Sequence, residues 1–172
     1  HEILPWGCHY RNIVSQAGHA WVAADLGSDP QVLAAMNEAK DLSAADTQAT
    51  RPLLAYSDGS VTANGALGSA AAILRVGGKE VFAIVRLASA DTALSSGRSE
   101  WVGLLLVLYI AKHARGDLTV RLDNLQVANA FMDGFWRFSR NWLRRNDRDL
   151  AMLAWRMAND RQMAEAQAFG LL

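Results

Sequence analysis

Three extended apolar segments, separated by turn residues, make up the stretch LLAYSDGSVTANGALGSAAAILRVGGKEVFAIVRL, residues 53–87. We predict strands over residues 53–61, 69–76 and 79–87, because turn residues such as glycine and asparagine bound each apolar run. Gly77-Gly78 stands where a two-residue hairpin turn belongs, since glycine readily adopts the positive φ that such turns need. This stretch therefore predicts three strands with a tight hairpin between the second and the third.

Downstream of the strands, the pattern changes to that of helices alternating with one more strand. We predict a buried helix over about 98–115, because its apolar residues are nearly continuous. Leu118–Asp123 alternates apolar and polar residues as a strand does, and 125–132 and 146–161 are typical of helices. The order β-β-β-α-β-α-α places the chain in the α/β class.

Upstream, the sequence predicts a separate, less regular segment. Asp29-Pro30 is typical of a helix start, with proline at the first helical position. Residues 41–50 are rich in alanine, serine, aspartate and threonine, which favours a linker. We therefore predict an N-terminal extension over residues 1–50, partly helical or linker, and one domain over 51–172.

Composition excludes several classes of protein. The chain has 172 residues, of which 51% are hydrophobic, so it is long and apolar enough for one packed core. No apolar run reaches the roughly 18 residues of a membrane span, and no charged start is followed by an apolar stretch as in a signal peptide. The single cysteine rules out an internal disulfide. We expect an intracellular protein that does not contact membranes.

The histidines near the start do not form an established metal motif. His1, Cys8, His9 and His19 follow no recognised zinc spacing. A buried cysteine and surface histidines are the expected arrangement. The sequence also lacks a phosphate-cradling G-x-x-x-x-G-K-[ST] loop, which excludes nucleotide hydrolysis of that type.

Three carboxylates stand at the ends of predicted elements. Asp58 lies near the end of the first strand, Glu100 in the first turn of the long helix, and Asp123 at the end of the fourth strand. If strands one and four are parallel neighbours, both aspartates lie at one sheet edge with the helix start above them. Clustered carboxylates need a counter-charge, and hard divalent cations such as Mg²⁺ supply it. Each residue alone also fits a turn, a cap or a helix-dipole role.

The segments around these acids resemble the ribonuclease H family. They read YSDGS at 56–60, SGRSE at 96–100 and VRLDN at 120–124, in the family's order and at fitting distances. The resemblance covers about residues 53–157. It implies a ribonuclease H-like mixed β-sheet, three antiparallel strands followed by a parallel one, flanked by helices. It also implies hydrolysis of the RNA strand of RNA–DNA hybrids by two metal ions, Mg²⁺ or alternatively Mn²⁺.

The resemblance assigns roles to individual residues. Asp58, Glu100 and Asp123 would be the catalytic metal ligands, with Asp58 bridging both ions. The hybrid's minor groove and 2′-hydroxyls would be read around the three carboxylates, by Gly59, Ser60, Ser96, Gly97, Arg98 and Asn124.

A basic, tryptophan-containing segment follows the fourth strand. In the resembled family, such a segment holds the phosphates of the DNA strand, and the residues here are Trp136, Arg137, Arg140, Trp142, Arg144 and Arg145. The alternative is a solvated amphipathic helix with its tryptophans in the core. Asn146–Leu150, NDRDL, resembles the start of the family's next helix and makes Asp149 a helix N-terminal residue, not a metal ligand.

The sequence departs from the family after this helix. The family continues into a fifth strand, a histidine-bearing loop and a last helix with a fourth carboxylate, and residues 162–172 show none of these. We expect that the chain is C-terminally truncated and lacks the last strand and helix. A rearranged alternative takes the missing piece from the N-terminus, where Gly18-His19 precedes Ala24-Asp25-Leu26.

Two principal functions follow. The first is a metal-dependent endonuclease on RNA–DNA hybrids, which could share a retroelement polyprotein with a reverse transcriptase domain. The second is a catalytically degenerate domain that binds nucleic acid or a protein partner without turnover. A 3′–5′ exonuclease is disfavoured, because such enzymes carry D-x-E in the first strand and here Asp58 is followed by Gly59 and Ser60.

Overall fold

The structure, a computed structural model, describes residues 26–45, 52–88, 94–133 and 147–168. The helices and strands within these ranges follow the predicted order β-β-β-α-β-α-α, and a helix that begins at the predicted Asp29-Pro30 start precedes them. They are α1 (Pro30–Ala45), β1 (Leu53–Val61), β2 (Leu67–Val76), β3 (Lys79–Ala88), α2 (Ser96–Ile110), β4 (Leu118–Arg121), α3 (Leu125–Asp133) and α4 (Arg148–Ala168).

The strands form one mixed sheet in the order β3-β2-β1-β4. β1 pairs antiparallel with β2, and β2 pairs antiparallel with β3. β4 pairs parallel with β1, which requires the crossover that α2 supplies. The predicted fold, three antiparallel strands and then a parallel strand flanked by helices, is confirmed.

The β2–β3 turn confirms the hairpin predicted from two glycines. Gly77 and Gly78 have φ of 57° and 81°, a backbone conformation that costs glycine little. Val76 pairs with Lys79 directly across this turn. The turn therefore fixes the register, which sends alternate side chains of both strands to the same face.

The core lies between the sheet and the helices on one of its faces. Residues at every second position of β2 and β3 are buried, as in Val81, Ala83 and Val85. α2 packs over β1 and β2 and is buried over almost its whole length, as its continuous apolar sequence predicts. The opposite side chains of β3 are exposed, so within the described residues the sheet is covered on one face.

α1 is part of the same core. Asp29 begins this helix by accepting hydrogen bonds from the N–H groups of Gln31 and Val32, as the Asp-Pro start predicts. Val32, Ala35 and Ala39 are buried against β3 and α2. Residues 41–45 are helical, so the predicted linker is wrong there, because the helix continues while its apolar face has a surface to pack on. The domain boundary near residue 50 stays a prediction.

Several element boundaries differ from the sequence prediction: β2 begins at Leu67, two residues early, and α4 continues to Ala168, seven residues beyond its predicted end. α2 ends at Ile110, and the guanidinium of Arg161 donates to the carbonyl oxygens of Ala111 and Gly116, two acceptors that the helix leaves open beyond its end. β4 ends at Arg121, because its pairing with β1 stops at Tyr56. No helix among the described residues is long and apolar enough to cross a membrane.

Candidate metal centre

The parallel pairing of β1 and β4 brings two aspartates side by side at the C-terminal end of this strand pair. Tyr56 pairs with Arg121, and continuing this register by two residues sets Asp58 level with Asp123. Both side chains are exposed. One carboxylate oxygen from each aspartate and one from Glu100 lie within 4.8 Å of one another. The three acids singled out in the sequence therefore form a cluster.

Glycines bring the helix that carries Glu100 close to β1. A Cβ at Gly59 would lie 2.4 Å from the carbonyl carbon of Ser99, closer than side chains tolerate. A Cβ at Gly103 would lie 3.1 Å from the backbone oxygen of Asp58. Glu100 is the fifth residue of α2, so it lies just after the first helical turn, in which it was predicted to lie. Its backbone N–H is part of the contact with Gly59. The two glycines thus allow the close approach of α2 to β1 that places Glu100 beside Asp58.

Burial and like charge make Glu100 the most perturbed acid of the three. The residue is 8% exposed. Burial first, and then the negative charges of Asp58 and Asp123, raise the pKa of Glu100 to about 7. A hydrogen bond from the backbone of Gly59 opposes this increase in part. Ionisation of Glu100, which gives the cluster its third negative charge, is therefore unfavourable up to about neutral pH.

The donor set of this cluster fits a divalent cation. Oε2 of Glu100 is buried and has no hydrogen-bond partner among the described residues. None of the ion pairs found within those residues neutralises any of the three carboxylates. Carboxylate oxygens are the ligands that Mg²⁺ and Mn²⁺ prefer. A cation would supply both the missing partner of Oε2 and the missing counter-charge.

Arg98 is engaged in buried ion pairs. Its guanidinium donates to both carboxylate oxygens of Asp149, at 3.1 and 2.9 Å, and to Asp147 at 3.2 Å. The residue is 4% exposed. The charged end of Arg98 is therefore turned into the protein, and its predicted contact with nucleic acid stays a prediction. Asp149 lies in the first turn of α4, as the sequence predicts.

The other residues predicted to contact nucleic acid are neighbours of the three acids in the sequence, and they differ in exposure and in hydrogen bonding. Ser60 is exposed and its hydroxyl hydrogen-bonds that of Ser69 at 2.9 Å. Ser96 and Gly97 form the accessible start of α2. The side-chain oxygen of Asn124 accepts from the N–H of Val127 at 3.0 Å and so caps α3.

The basic segment predicted to hold phosphates lies outside the described residues. This applies to Trp136, Arg137, Arg140, Trp142, Arg144 and Arg145, and equally to His1, Cys8, His9 and His19. The described chain resumes at Asp147, whose Oδ2 would lie 3.5 Å from a Cβ at Gly97. The chain that follows the basic segment therefore begins beside the start of α2, three residues before Glu100.

Sequence reasoning missed three residues that organise this site. Asp147 has a φ of 64° and pairs with Arg98, and Ser95 caps α2 by accepting from the N–H of Arg98. Gly103 allows α2 to approach β1. The serine before an apolar helix was a usable signal for the cap. The pairing of Arg98 with acids about 50 residues away had no local signal.

The comparisons with known proteins find similar solved structures. RNase H1 of the halophilic archaeon Halobacterium salinarum is 21% identical, with a TM-score of 0.47 over 62% of this chain and 75% of that one. The N-terminal RNase H domain of a Mycobacterium tuberculosis protein, solved as a fusion with maltose-binding protein, is 18% identical, with a TM-score of 0.42 over 68% of this chain and 97% of that one. No family model and no curated protein matches the sequence.

The fold has the ribonuclease H-like topology that the sequence resemblance implies, a mixed sheet in the order β3-β2-β1-β4 with β4 parallel to β1. The strand order, the strand directions and the crossover helix that carries Glu100 are those that the sequence resemblance implies.

Proposed function

We propose that this chain is a divalent-metal-dependent nuclease that hydrolyses the RNA strand of RNA–DNA hybrids. The observation that carries the proposal is the cluster of Asp58, Glu100 and Asp123, with carboxylate oxygens within 4.8 Å of one another. Divalent ions bound there would activate a water for attack on a phosphodiester and stabilise the departing oxygen. The three acids would hold these ions and carry the negative charge that the ions require, and Asp58 would be the ligand shared by both.

The surroundings of the cluster support a polyanionic substrate that reaches the carboxylates from solvent. Asp58 and Asp123 are exposed, whereas Glu100 is buried behind them, so the cluster is open on one side. Gly59, Ser60 and the start of α2 at Ser96 border it. We assign the minor groove of the hybrid to this border, where 2′-hydroxyls distinguish RNA from DNA.

The basic segment supplies the proposed contact to the second strand. It ends at Arg145, two residues before Asp147, and Arg98 holds Asp147 beside the start of α2. Arginines there would neutralise phosphates of the DNA strand, with Trp136, Arg140, Arg144 and Arg145 as the assigned residues. Affinity for hybrid should then fall as salt concentration rises.

The test is cleavage of an end-labelled RNA–DNA hybrid with Mg²⁺ or Mn²⁺, with duplex DNA and duplex RNA as substrate controls. We expect Asp58→Asn to reduce hybrid cleavage at least about 100-fold, because it removes a metal-ligating charge. Asp117→Asn is the matched control. It makes the same change at an exposed aspartate before β4, at the opposite end of the strand from Asp123, and should leave the rate unchanged.

Two outcomes separate the proposed nuclease from its alternative. Hybrid-specific cleavage that Asp58→Asn abolishes supports the nuclease. Binding of hybrid without cleavage by any metal overturns it and favours the degenerate domain that binds without turnover.

The retroelement context is a separate part of the proposal. We propose a reverse transcriptase domain in the same polyprotein, since a hybrid nuclease acts on the product of reverse transcription. The surrounding reading frame tests it: a polymerase domain in frame supports the assignment, and its absence overturns it without affecting the nuclease.

A further inference from the structure

β3 presents an open edge and an open face. Within the described part of the chain, β3 pairs with β2 on one side and with no strand on the other. Every second residue faces away from the helices and is exposed, including Phe82 at 67% and Ile84 at 52%. A ten-residue edge strand with apolar exposed side chains is a template for pairing with another strand.

The exposed side chains of this edge are complementary to themselves. Antiparallel pairing of β3 with a second copy about a twofold axis at Ala83 sets each residue opposite one equally far beyond the axis. Phe82 then faces the second copy's Ile84, and Glu80 faces the second copy's Arg86. By symmetry each pair occurs twice, so apolar side chains meet each other and opposite charges meet each other.

Neighbouring registers lack this match. An axis at Phe82 sets Phe82 against its own copy and Glu80 against Ile84. An axis at Ile84 sets Arg86 against Phe82. Neither register pairs the charge of Glu80 with that of Arg86, whereas the axis at Ala83 pairs all four outward positions favourably.

We propose that the protein forms a homodimer by antiparallel pairing of β3 with β3 of a second copy, centred on Ala83. The two four-stranded sheets then form one continuous eight-stranded sheet, and the backbone groups of both open edges are satisfied. The twofold axis is perpendicular to the sheet, so corresponding faces of the two copies lie on the same side. The two Asp58 residues are five strand spacings apart, roughly 24 Å.

The ion pair within each chain is compatible with this arrangement. Glu80 accepts from Nε of Arg75 at 3.2 Å, and its side chain remains 54% exposed. A carboxylate accepts several hydrogen bonds, so Glu80 can hold Arg75 of its own chain and Arg86 of the second copy together. Arg86 is exposed, and the described residues provide it with no acid partner in the ion pairs found.

A charge-swap series with mass measured by sedimentation equilibrium tests the dimer. The full chain is expected to sediment as a dimer, and Arg86→Glu should raise the dissociation constant roughly tenfold or more by opposing Glu80 with Glu. The double variant Glu80→Arg, Arg86→Glu should restore the dimer. Arg121→Glu, the same change on the opposite edge strand β4, is the control and should not alter the dissociation constant.

Engineered disulfides test the register independently. In a Cys8→Ser background, Phe82→Cys with Ile84→Cys should oxidise to a covalent dimer, because directly opposed residues of antiparallel strands lie within disulfide reach. A monomeric full chain overturns the proposal, including one that dimerises only after residues 1–25 are removed. So does a dimer that is insensitive to the charge reversal and does not form the disulfide.

Discussion

Glu100 is the acid of the cluster whose ionisation is most strongly opposed by burial and by neighbouring negative charge. Its pKa is raised to about 7, from an ordinary value of 4.5, by burial and by Asp58 and Asp123. In the unfolded chain Glu100 loses its proton at the ordinary value. The metal-free folded protein is therefore stabilised by this group below about pH 4.5, and this contribution is lost as the pH rises towards about 7.

This linkage predicts a pH-dependent difference between the wild type and Glu100→Gln. With EDTA present, the variant should become the more stable protein as pH rises from 4.5 to about 7, by on the order of 1–3 kcal/mol. Urea unfolding at a series of pH values measures it. Mg²⁺ should reverse the order near neutral pH, because a bound cation stabilises the charged wild-type side chain. A constant difference at all pH values would contradict the assignment of the raised pKa.

Gly59 gives a second prediction at the scale of one residue. A methyl group there would meet the backbone of Ser99 and Glu100 at 2.4–2.7 Å, and backbone atoms cannot move aside cheaply. We expect Gly59→Ala to reduce the free energy of unfolding by roughly 2–4 kcal/mol and to weaken metal binding by displacing Glu100. Gly97→Ala is the matched control, since its nearest contact would be at 3.5 Å. Equal losses in both variants, by chemical denaturation, would refute the close-approach argument.

Local signals in individual residues predicted that three particular acids come together. Asp58 and Asp123 were identifiable near predicted strand ends and Glu100 near a predicted helix start, and the crossover rule places such positions close together. The approach of Gly59 to Ser99 was not identifiable, because it depends on the distance between a strand and a helix. The burial of Arg98 was missed for the same reason: its partners are distant in sequence.

At the scale of elements, the ion pairs of Arg98 join the starts of α2 and α4. Arg98 contacts Asp149 through two hydrogen bonds with almost no access to solvent. Removing one partner leaves a buried charge, which is more costly than losing an exposed pair. The pairs also fix Asp147 beside Gly97, at the start of the helix that carries Glu100.

We therefore predict that Asp149→Ala reduces the free energy of unfolding by about 3–5 kcal/mol. Asp160→Ala is the control on the same helix, because Asp160 pairs with Arg156 at the surface with its side chain 57% exposed. Its loss should stay below about 0.5 kcal/mol. Urea denaturation of both variants measures the difference, and similar small losses would show that the buried pair contributes little.

Strand ends were predicted to within two residues because each strand has a local pattern, whereas helix boundaries depended on tertiary contacts. The Gly77-Gly78 turn fixed the β2–β3 hairpin from sequence. The end of α2 and the continuation of α1 through residues 41–45 did not follow from their own residues. Ser43 shows why: its Oγ accepts from the backbone N–H of Arg115 at 2.7 Å, a contact between segments 72 residues apart.

At the scale of the whole molecule, α1 decides how much of the chain folds as one unit. It precedes the predicted boundary near residue 50, yet Val32, at 0% exposure, lies in the same core as β3 and α2. A helix that buries apolar side chains against a sheet contributes to the stability of that sheet. If this core is one cooperative unit, damage to α1 must destabilise the strands that carry the carboxylates.

Two adjacent positions of α1 test this coupling. Val32→Asp places a charge in the core and should reduce the free energy of unfolding by more than about 3 kcal/mol, with loss of β-sheet signal in the same transition. Leu33→Asp makes the same change at a residue that is 39% exposed and should cost less than about 1 kcal/mol. Circular dichroism during urea unfolding distinguishes the outcomes. A Val32→Asp protein whose sheet unfolds at the wild-type urea concentration would show that α1 is an independent extension, since only a shared core transmits the damage from the helix to the sheet.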